Sequence, residues 1–457
     1  MKKFNIKKFN ILEIIWHDLG DFLSLYGQDY VENPALDTLA KQGVLFDNCF
    51  CTAPQCCPSR AALKTGRYPQ SNGMLGLTHR GFSYNQGEMT TPQILGGLGY
   101  ETYLFGFQHE HPHGQPLPYK HVFEPSEDCD IVADAAIDFI KTRDGEAPFF
   151  ASVGFEQVHR LFGTDYDPAK LEKIKIPPYL PNTPEVLKDI ATFLPHIKKA
   201  DAAVGRIMQA LADAEIERDT LVYFTTDHGP EFPRAKMTLY DPGTKIAMIM
   251  RLPGVLPANT HTDLLVSNID VLPTILDIIG APCPEYIQGK SFYNAFLGFE
   301  PGQEQVYSQI TWHGGEYFPQ RAIRTKNYKY IMNFNPGWPI LMGEYVRRYT
   351  PEIIEQYYSA PCPAAELYDL KSDPNEFENL AENPEYAQVR AGLEARLTAH
   401  LSAIDDPVLK GPVPHASQKN VGSSVRWGKF ASLFPHQQPE EQFKIIDFKG
   451  NFGEEPF

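Results

Sequence analysis

Cys56 and Arg60 are the residues whose types and spacing most directly suggest chemistry. They lie in Cys56-Cys57-Pro58-Ser59-Arg60-Ala61-Ala62-Leu63-Lys64-Thr65-Gly66-Arg67. Pro58 suits an early helical position, where a missing N–H costs nothing. Ala61, Ala62 and Leu63 continue a helix, and Gly66 fits its stop. Cys56 therefore falls at a helix N-terminus, where free N–H groups and the helix dipole favour negative charge. Arg60, four residues on, shares that face and is placed to reach back to it. A nucleophile, a basic partner and an anion-binding helix end converge on one spot. A buried structural thiol is the commoner fate of a lone cysteine, so the whole pattern carries the reading and not the cysteine alone.

Cys-x-Pro-Ser-Arg followed by Thr-Gly-Arg resembles the signature of the type I sulfatases, part of the alkaline-phosphatase-like superfamily. The resemblance implies that Cys56, and not Cys57, is oxidised to a formylglycine whose hydrated aldehyde is the nucleophile. It implies a maturation partner, either a formylglycine-generating enzyme or an anaerobic sulfatase-maturating enzyme. It also implies one divalent cation held beside position 56 by residues following two strands; Asp18, Asp227 and His228 match these ligands. The family usually has Asp-Asp at the first pair, whereas this chain has His17-Asp18. Calcium prefers oxygen donors, and imidazoles suit manganese, iron or zinc better. Either His17 turns away or a softer metal is bound. Calcium is the first expectation, with Mn2+, Fe2+ and Zn2+ as alternatives and His17 among the candidate ligands.

Three more residues match the family's catalytic set and join Cys56 and Arg60. His109 falls in the family's Gly-Lys-x-His element, where the histidine helps deprotonate or break down the sulfated aldehyde hydrate. His159 matches a histidine that contacts sulfate and protonates the leaving group. Lys236 matches a basic residue that grips a sulfate oxygen. Phe107 departs, because the family has a lysine there. Arg160, His111 and His113 are nearby candidates to supply the missing charge.

Within the family the chain most resembles the heparan N-sulfatase (sulfamidase) branch. The matching pieces are Pro178 to Pro184, Leu239 to Thr244, and Ser308-Gln309 through His313 to Arg321. The implied substrate is a small sulfated carbohydrate, a sulfate ester or sulfamate on a terminal glucosamine-type sugar. Trp312, His313 and Glu316 are candidates to line a sugar pocket. Two other readings stay open: a phosphonate or phosphate ester hydrolase of the same superfamily, which the Asp-His pair permits, and a non-catalytic binder of sulfated glycans, which His17 and Phe107 motivate.

These residues need elements to position them. Asn10 to Trp16 is a short apolar run that reads as a buried strand delivering His17-Asp18 at its carboxyl end. Helices are predicted from Asn33 to Gly43, from Thr91, from Ile197 to Ala212 and from Asp270 to Ile279. Strands are predicted at Val44 to Phe46, Tyr100 to Phe105, Phe149 to Val153 and Thr220 to Phe224, the last ending in Thr225-Thr226-Asp227-His228. Strands alternating with helices imply an α/β sandwich with a large mixed, mainly parallel sheet. From about Gln305 the texture changes. Tyr307 to Ile310, Gln320 to Thr325 and Tyr328 to Met332 read as antiparallel strands. Glu366 to Leu370 resembles a C-terminal family block and precedes a helix around Ala387 to Ile404. The expected domains are a catalytic domain over 1–304, an α+β subdomain with an antiparallel sheet over 305–405, and an irregular tail over 406–457.

The 457 residues are 42% hydrophobic and 21% charged, ordinary for a globular enzyme with a sizeable core. A net charge of −16 and no basic run interleaved with aromatics argue against a nucleic-acid binder. They favour a pocket with local positive charge over a surface for a long sulfated polymer. Seven cysteines without framework spacing read as reduced thiols. The basic N-terminus is followed by an apolar run broken at Glu13, His17 and Asp18, so neither a signal peptide nor a membrane span is expected. That reads as cytoplasmic as the sequence stands, or periplasmic or secreted if a leader has been removed.

Overall fold

The computed structural model describes residues 9–112, 115–124, 126–143, 145–341 and 349–416. His113 and most of the expected C-terminal tail lie outside these residues.

The main sheet has eight strands: β1 (Asn10–Trp16), β2 (Val44–Phe50), β3 (Glu101–Gly106), β4 (His121–Phe123), β5 (Phe149–Phe155), β6 (Thr220–Thr226), β7 (Met248–Arg251) and β8 (Thr260–Ser267). Their spatial order is β4-β3-β5-β1-β6-β7-β2-β8. All pairings are parallel except those of β7, which runs antiparallel to both β6 and β2. This is the mixed, mainly parallel sheet predicted, and it is covered on both faces.

β1 shows why its run is apolar almost throughout. Successive side chains alternate between faces. Leu12, Ile14 and Trp16 enter a core shared with the helices Cys129–Thr142 and Pro184–Asp213. Ile11 and Ile15 enter a second core with Leu63 and the helix Val271–Ile279. Glu13 is the polar exception: it is buried and pairs with Lys64 of the signature helix. A strand buried on both faces reads as a continuous apolar run for this reason.

The helix predicted over Ile197 to Ala212 is longer, Pro184–Asp213. Thr183 Oγ1 accepts from Val186 N at 3.4 Å and starts it, with Pro184 in the first turn. Pro195 lies inside. A proline there forfeits one helical hydrogen bond, but Val186, Ile190, Phe193 and Ile197 bury against the core on either side of it, and packing outweighs local propensity. The Cys129–Thr142 helix and strands β4, β7 and β8 carried no predicted element.

The second sheet is antiparallel, with order β12-β11-β10-β9. It comprises β9 (Gln305–His313), β10 (Glu316–Thr325), β11 (Tyr328–Asn333) and β12 (Ala365–Asp369), and the helix Ala387–Ala403 packs on it through Leu393, Leu397 and Leu401. Arg321 on β10 makes a two-pronged ion pair with Asp406, Nε to Oδ2 at 2.6 Å and Nη2 to Oδ1 at 2.9 Å. No helix among the described residues is long and apolar enough to cross a membrane.

Candidate active site

Parallel pairing sets the site. Trp16 of β1 and Thr226 of β6 are register partners, so the residues following each strand emerge side by side. The Asp18 N–H donates to Asp227 Oδ1 at 3.0 Å, and the Asp227 N–H donates to the Trp16 carbonyl at 3.2 Å. Strands β3 and β5 run the same way, so His109 and His159 come to the same sheet edge. Carboxyl ends of parallel strands are where such folds hold ligands.

The signature forms the helix Cys56–Thr65, ended by Gly66 at φ 63°, with every residue buried. Cys56 Sγ lies 3.4 Å from His228 Nε2. Burial is the main cause that pushes the Cys56 thiol well above its ordinary range; nearby Lys236 only partly opposes it. Arg60 does not reach back to Cys56 as its spacing predicts. Its Nε donates to Asp227 Oδ2 at 2.9 Å, because a buried carboxylate is the stronger partner for a guanidinium. Burial opposes its charge, yet Asp227 and Glu110 raise it above the usual arginine value. Its Nη2 and the Nδ1 of His109 are buried without a hydrogen-bond partner among the described residues.

Ligand atoms of His17, Asp18, Cys56, Asp227 and His228 all lie within 4.8 Å of one another, and all five residues are buried. His228 Nδ1 is 2.9 Å from the Gly229 carbonyl, which can only accept. Nδ1 therefore carries the hydrogen. Burial lowers the His228 pKa and favours the neutral ring, so Nε2 turns a lone pair toward Asp18 Oδ1 at 3.2 Å and Asp227 Oδ1 at 3.6 Å. Acceptors facing acceptors fit a cation, and a histidine whose second nitrogen is tied to a carbonyl is the usual form of a metal ligand. His17 does not turn away: its Nδ1 lies 2.6 Å from Asp18 Oδ1 and 3.5 Å from Asp227 Oδ2. Burial is the largest effect on it and takes its pKa down to about 4.

Around this cluster stand the other predicted residues. Lys236 Nζ donates to Asp18 Oδ2 at 2.6 Å. Burial opposes the ammonium, but Asp18, together with Cys56 and Glu231, raises the lysine well above its usual value. Asp18 is in turn held well below the carboxylate range, burial notwithstanding, by Lys236 first and then the histidines. His159 Nε2 is 3.8 Å from Asp18 Oδ2, and its ring centre is 4.7 Å from that of His17. The His109 ring is 6.1 Å from that of His17; burial, then His17 and Arg60, keep it well below the ordinary histidine range.

Phe107 stacks under the Arg60 guanidinium at 5.0 Å. Of the cations proposed to replace the missing lysine, Arg160 is committed elsewhere, forked onto Asp189. His111 packs 5.2 Å from Tyr84. Trp312 is no pocket wall either. It is 4% exposed, packs against Tyr317 and His415, and donates its indole N–H to the Val413 carbonyl at 3.1 Å. Its neighbour His313 meets Gln55 Nε2 at 3.0 Å, and burial, then Lys236 and His228, take its pKa down to about 3.

Sequence reasoning missed Gln55, Glu231 and His79. Gln55 precedes the signature and binds the Trp312 carbonyl at 2.7 Å, a contact with no local sequence signal. Glu231 Oε2 is 3.9 Å from Lys236 Nζ; its place soon after the Asp-His pair was the available hint. His79 stacks 6.0 Å from His109 and stands alone in sequence.

The chain is similar to known proteins over most of its length. The family model described as Sulfatase matches residues 10–281, and that described as N-sulphoglucosamine sulphohydrolase, C-terminal, matches residues 233–339. An ulvan-active sulfatase of Formosa agariphila is 30% identical, covering 87% of this chain and 75% of its own length. Human N-sulphoglucosamine sulphohydrolase is 28% identical, covering 88% of this chain and 92% of its own. A structure solved in complex with its substrate, D-glucosamine-2-N,6-O-disulfate, superposes with a TM-score of 0.70 at 19% identity, covering 89% of this chain and 99% of the other. That likeness is one of fold, the alkaline-phosphatase-like sandwich. With the signature helix opening onto a buried cluster of carboxylates and imidazoles, this chain belongs to the sulfatase family.

Proposed function

We propose that this protein hydrolyses a sulfate ester or sulfamate on a terminal glucosamine-type sugar, with Cys56 oxidised to formylglycine and a divalent cation beside it. One observation carries the reading most directly. Cys56 sits at a helix N-terminus against Asp18, Asp227 and His228, while Arg60 Nη2 and His109 Nδ1 stay unpartnered among the described residues. An unsatisfied buried donor such as Arg60 Nη2 is costly, and a sulfate oxygen would satisfy it. The sugar assignment rests on likeness to the human N-sulphoglucosamine sulphohydrolase and is the finer part of the proposal.

Asp18, Asp227 and His228 would hold the cation, with His17 and position 56 adjoining. When bound, it orients the nucleophilic oxygen and offsets charge on sulfate. Calcium remains the family's expectation, while the imidazoles favour a borderline metal. The formylglycine supplies a hydrated aldehyde, dividing one difficult displacement into two easier ones.

The chain's own groups do the rest. Arg60 anchors Asp227 through Nε and offers Nη2 to a sulfate oxygen. Lys236 brings an ammonium to the same pocket, where charge develops in sulfuryl transfer. His109, neutral by burial, accepts a proton from the nucleophile side. His159 has its Nδ1 tied to the Arg160 carbonyl at 2.7 Å, so in the protonated ring Nε2–H is the group that hands a proton to the leaving group, with the Lys236 ammonium as the alternative donor.

Two measurements test this. Tryptic mass spectrometry of the peptide holding position 56, after coexpression with a maturating enzyme, should detect an aldehyde in place of the thiol. Sulfate release should be found among N-sulfated and O-sulfated glucosamines and vanish in Cys56→Ala. Undiminished release in that variant sinks the mechanism. A clear preference for aryl phosphonates would favour the phosphonate reading, and binding without turnover by matured protein the non-catalytic one.

A further inference from the structure

We infer that Asp189 and Arg160 form a clamp that positions His159 and Lys236 on the leaving-group side of the site. The inference rests on the sulfatase reading only for its activity readout.

His159 lies on a stretch, residues 156–167, without regular secondary structure. Something other than a backbone ladder must hold its ring. Its Nδ1 meets the Arg160 carbonyl, which can only accept, so the position of that carbonyl decides which ring nitrogen faces Asp18. The Arg160 side chain holds the carbonyl in place. Nη1 donates to Asp189 Oδ1 at 2.7 Å and Nη2 to Asp189 Oδ2. Nε and Nη2 also donate to the Glu231 carbonyl at 3.1 and 3.0 Å. The guanidinium also lies over the Phe162 ring at 4.5 Å and near the Phe232 ring at 5.3 Å. Tyr349 adds a hydroxyl to Asp189 Oδ2.

Glu231 belongs to the loop that carries Lys236, whose N–H donates to the Pro230 carbonyl at 3.0 Å. One planar guanidinium thus ties the His159 loop and the Lys236 loop to the long Pro184–Asp213 helix. Lysine could not, because the fork needs several donors in one plane. His159 and Lys236 both converge on Asp18, at 3.8 and 2.6 Å. Both are the groups proposed to meet the departing oxygen or nitrogen. A misplacement of about 1 Å at such a group costs on the order of a hundredfold in rate.

Loss of leaving-group assistance has a signature that general destabilisation lacks. A sugar alkoxide needs a proton; a nitrophenolate leaves without one. In Asp189→Asn, kcat for the sugar sulfate should fall about a hundredfold, while kcat for 4-nitrophenyl sulfate falls less than about threefold and KM stays close. Tyr349→Phe, a milder change that removes one hydrogen bond, should give the same split at smaller size and covers the case in which Asp189→Asn fails to fold. Arg160→Lys should behave like Asp189→Asn. Equal losses on both esters would overturn the clamp. Independently of activity, the nitrogen shifts of 15N-labelled His159, read at alkaline pH where an imidazole is neutral, should report one tautomer, Nδ1–H, in the wild type and a mixture in Asp189→Asn or Tyr349→Phe. An unchanged tautomer in both variants would overturn it too. Wild-type protein that releases no sulfate would refute the sulfatase reading, and the nitrogen shifts would still decide the clamp.

Discussion

The backbone N–H of Asp18 donates at 3.0 Å to the side chain of Asp227, 209 positions further along the chain. This bond joins the ends of two neighbouring parallel strands and holds two carboxylates at one point. Lys236 and Arg60 neutralise them in part, one cation to each. The His228 lone pair facing the same point leaves room for a third positive centre.

Chelation should therefore lower the melting temperature, and returning the cation should restore it. Binding at a hundredfold excess over Kd stabilises by about 2.7 kcal/mol. Differential scanning fluorimetry with EDTA, then Ca2+, Mn2+ or Zn2+, measures this, and metal analysis gives the stoichiometry. Asp227→Asn should abolish the chelator effect. It should also cost about 3–5 kcal/mol by itself, because Arg60 is left buried without its counter-charge. A chelator shift of equal size in that variant would remove Asp227 from the ligand set.

Phe107→Lys should move stability and anion affinity in opposite directions. The new ammonium would stand near the Arg60 guanidinium, now 5.0 Å from the Phe107 ring. Like charges in a half-buried place lower the melting temperature of the ligand-free protein. A sulfate in the pocket relieves that repulsion, so inhibition by inorganic sulfate should tighten by about tenfold, one charge-assisted hydrogen bond's worth. Steady-state inhibition in wild type and variant reads this out; equal inhibition constants would show that Phe107 does not face the anion.

Gly229→Ala should damage the site from behind. A Cβ at Gly229 would lie 1.8 Å from the Pro242 carbonyl oxygen. The Gly229 carbonyl also fixes the His228 ring. Relief of that clash must shift a backbone, costing about 2–3 kcal/mol or more, and it should weaken metal binding along with stability. Urea denaturation and metal titration on one preparation test the linkage.

Asp406 should set an acid limit on stability. Burial opposes ionisation of its carboxyl, but the Arg321 fork, the Val408 N–H and Gln70 bring its pKa below the usual value. A group depressed in the folded state stabilises above its unfolded pKa of about 3.9 and loses that contribution as pH falls through the folded value. In Asp406→Asn the melting temperature at neutral pH should drop, by about 3–5 kcal/mol of stability, because Arg321 is stranded. The wild-type and variant curves should then draw together below about pH 4. Parallel curves down to the acid limit would mean that this ion pair is not what titrates.

Much of the molecule could be read without coordinates, and particular residues show how far. The apolar run at Asn10–Trp16 coincides with β1 because a doubly buried strand has no polar face to interrupt it, apart from Glu13. Pro58 and Gly66 placed the signature helix because helix ends are set by local backbone chemistry. The Pro184–Asp213 helix was cut short because Pro195 is a local breaker overruled by distant packing.

The partners of charged groups were the part that could not be read. Sequence spacing put Arg60 beside Cys56, yet its guanidinium pairs with Asp227. Arg160 was a candidate for sulfate and is bound to Asp189. Trp312 was a candidate for sugar and is buried under Val413. The chain by itself determined that Asn10–Trp16 is a strand and that Cys56 opens a helix ended at Gly66, since these follow from local pattern and backbone chemistry. Only the tertiary structure decided which carboxylate each cation serves and that Asp18 meets Asp227. Those choices depend on the parallel register of β1 on β6 and on burial, which strips away water and leaves each charge to the strongest partner in reach.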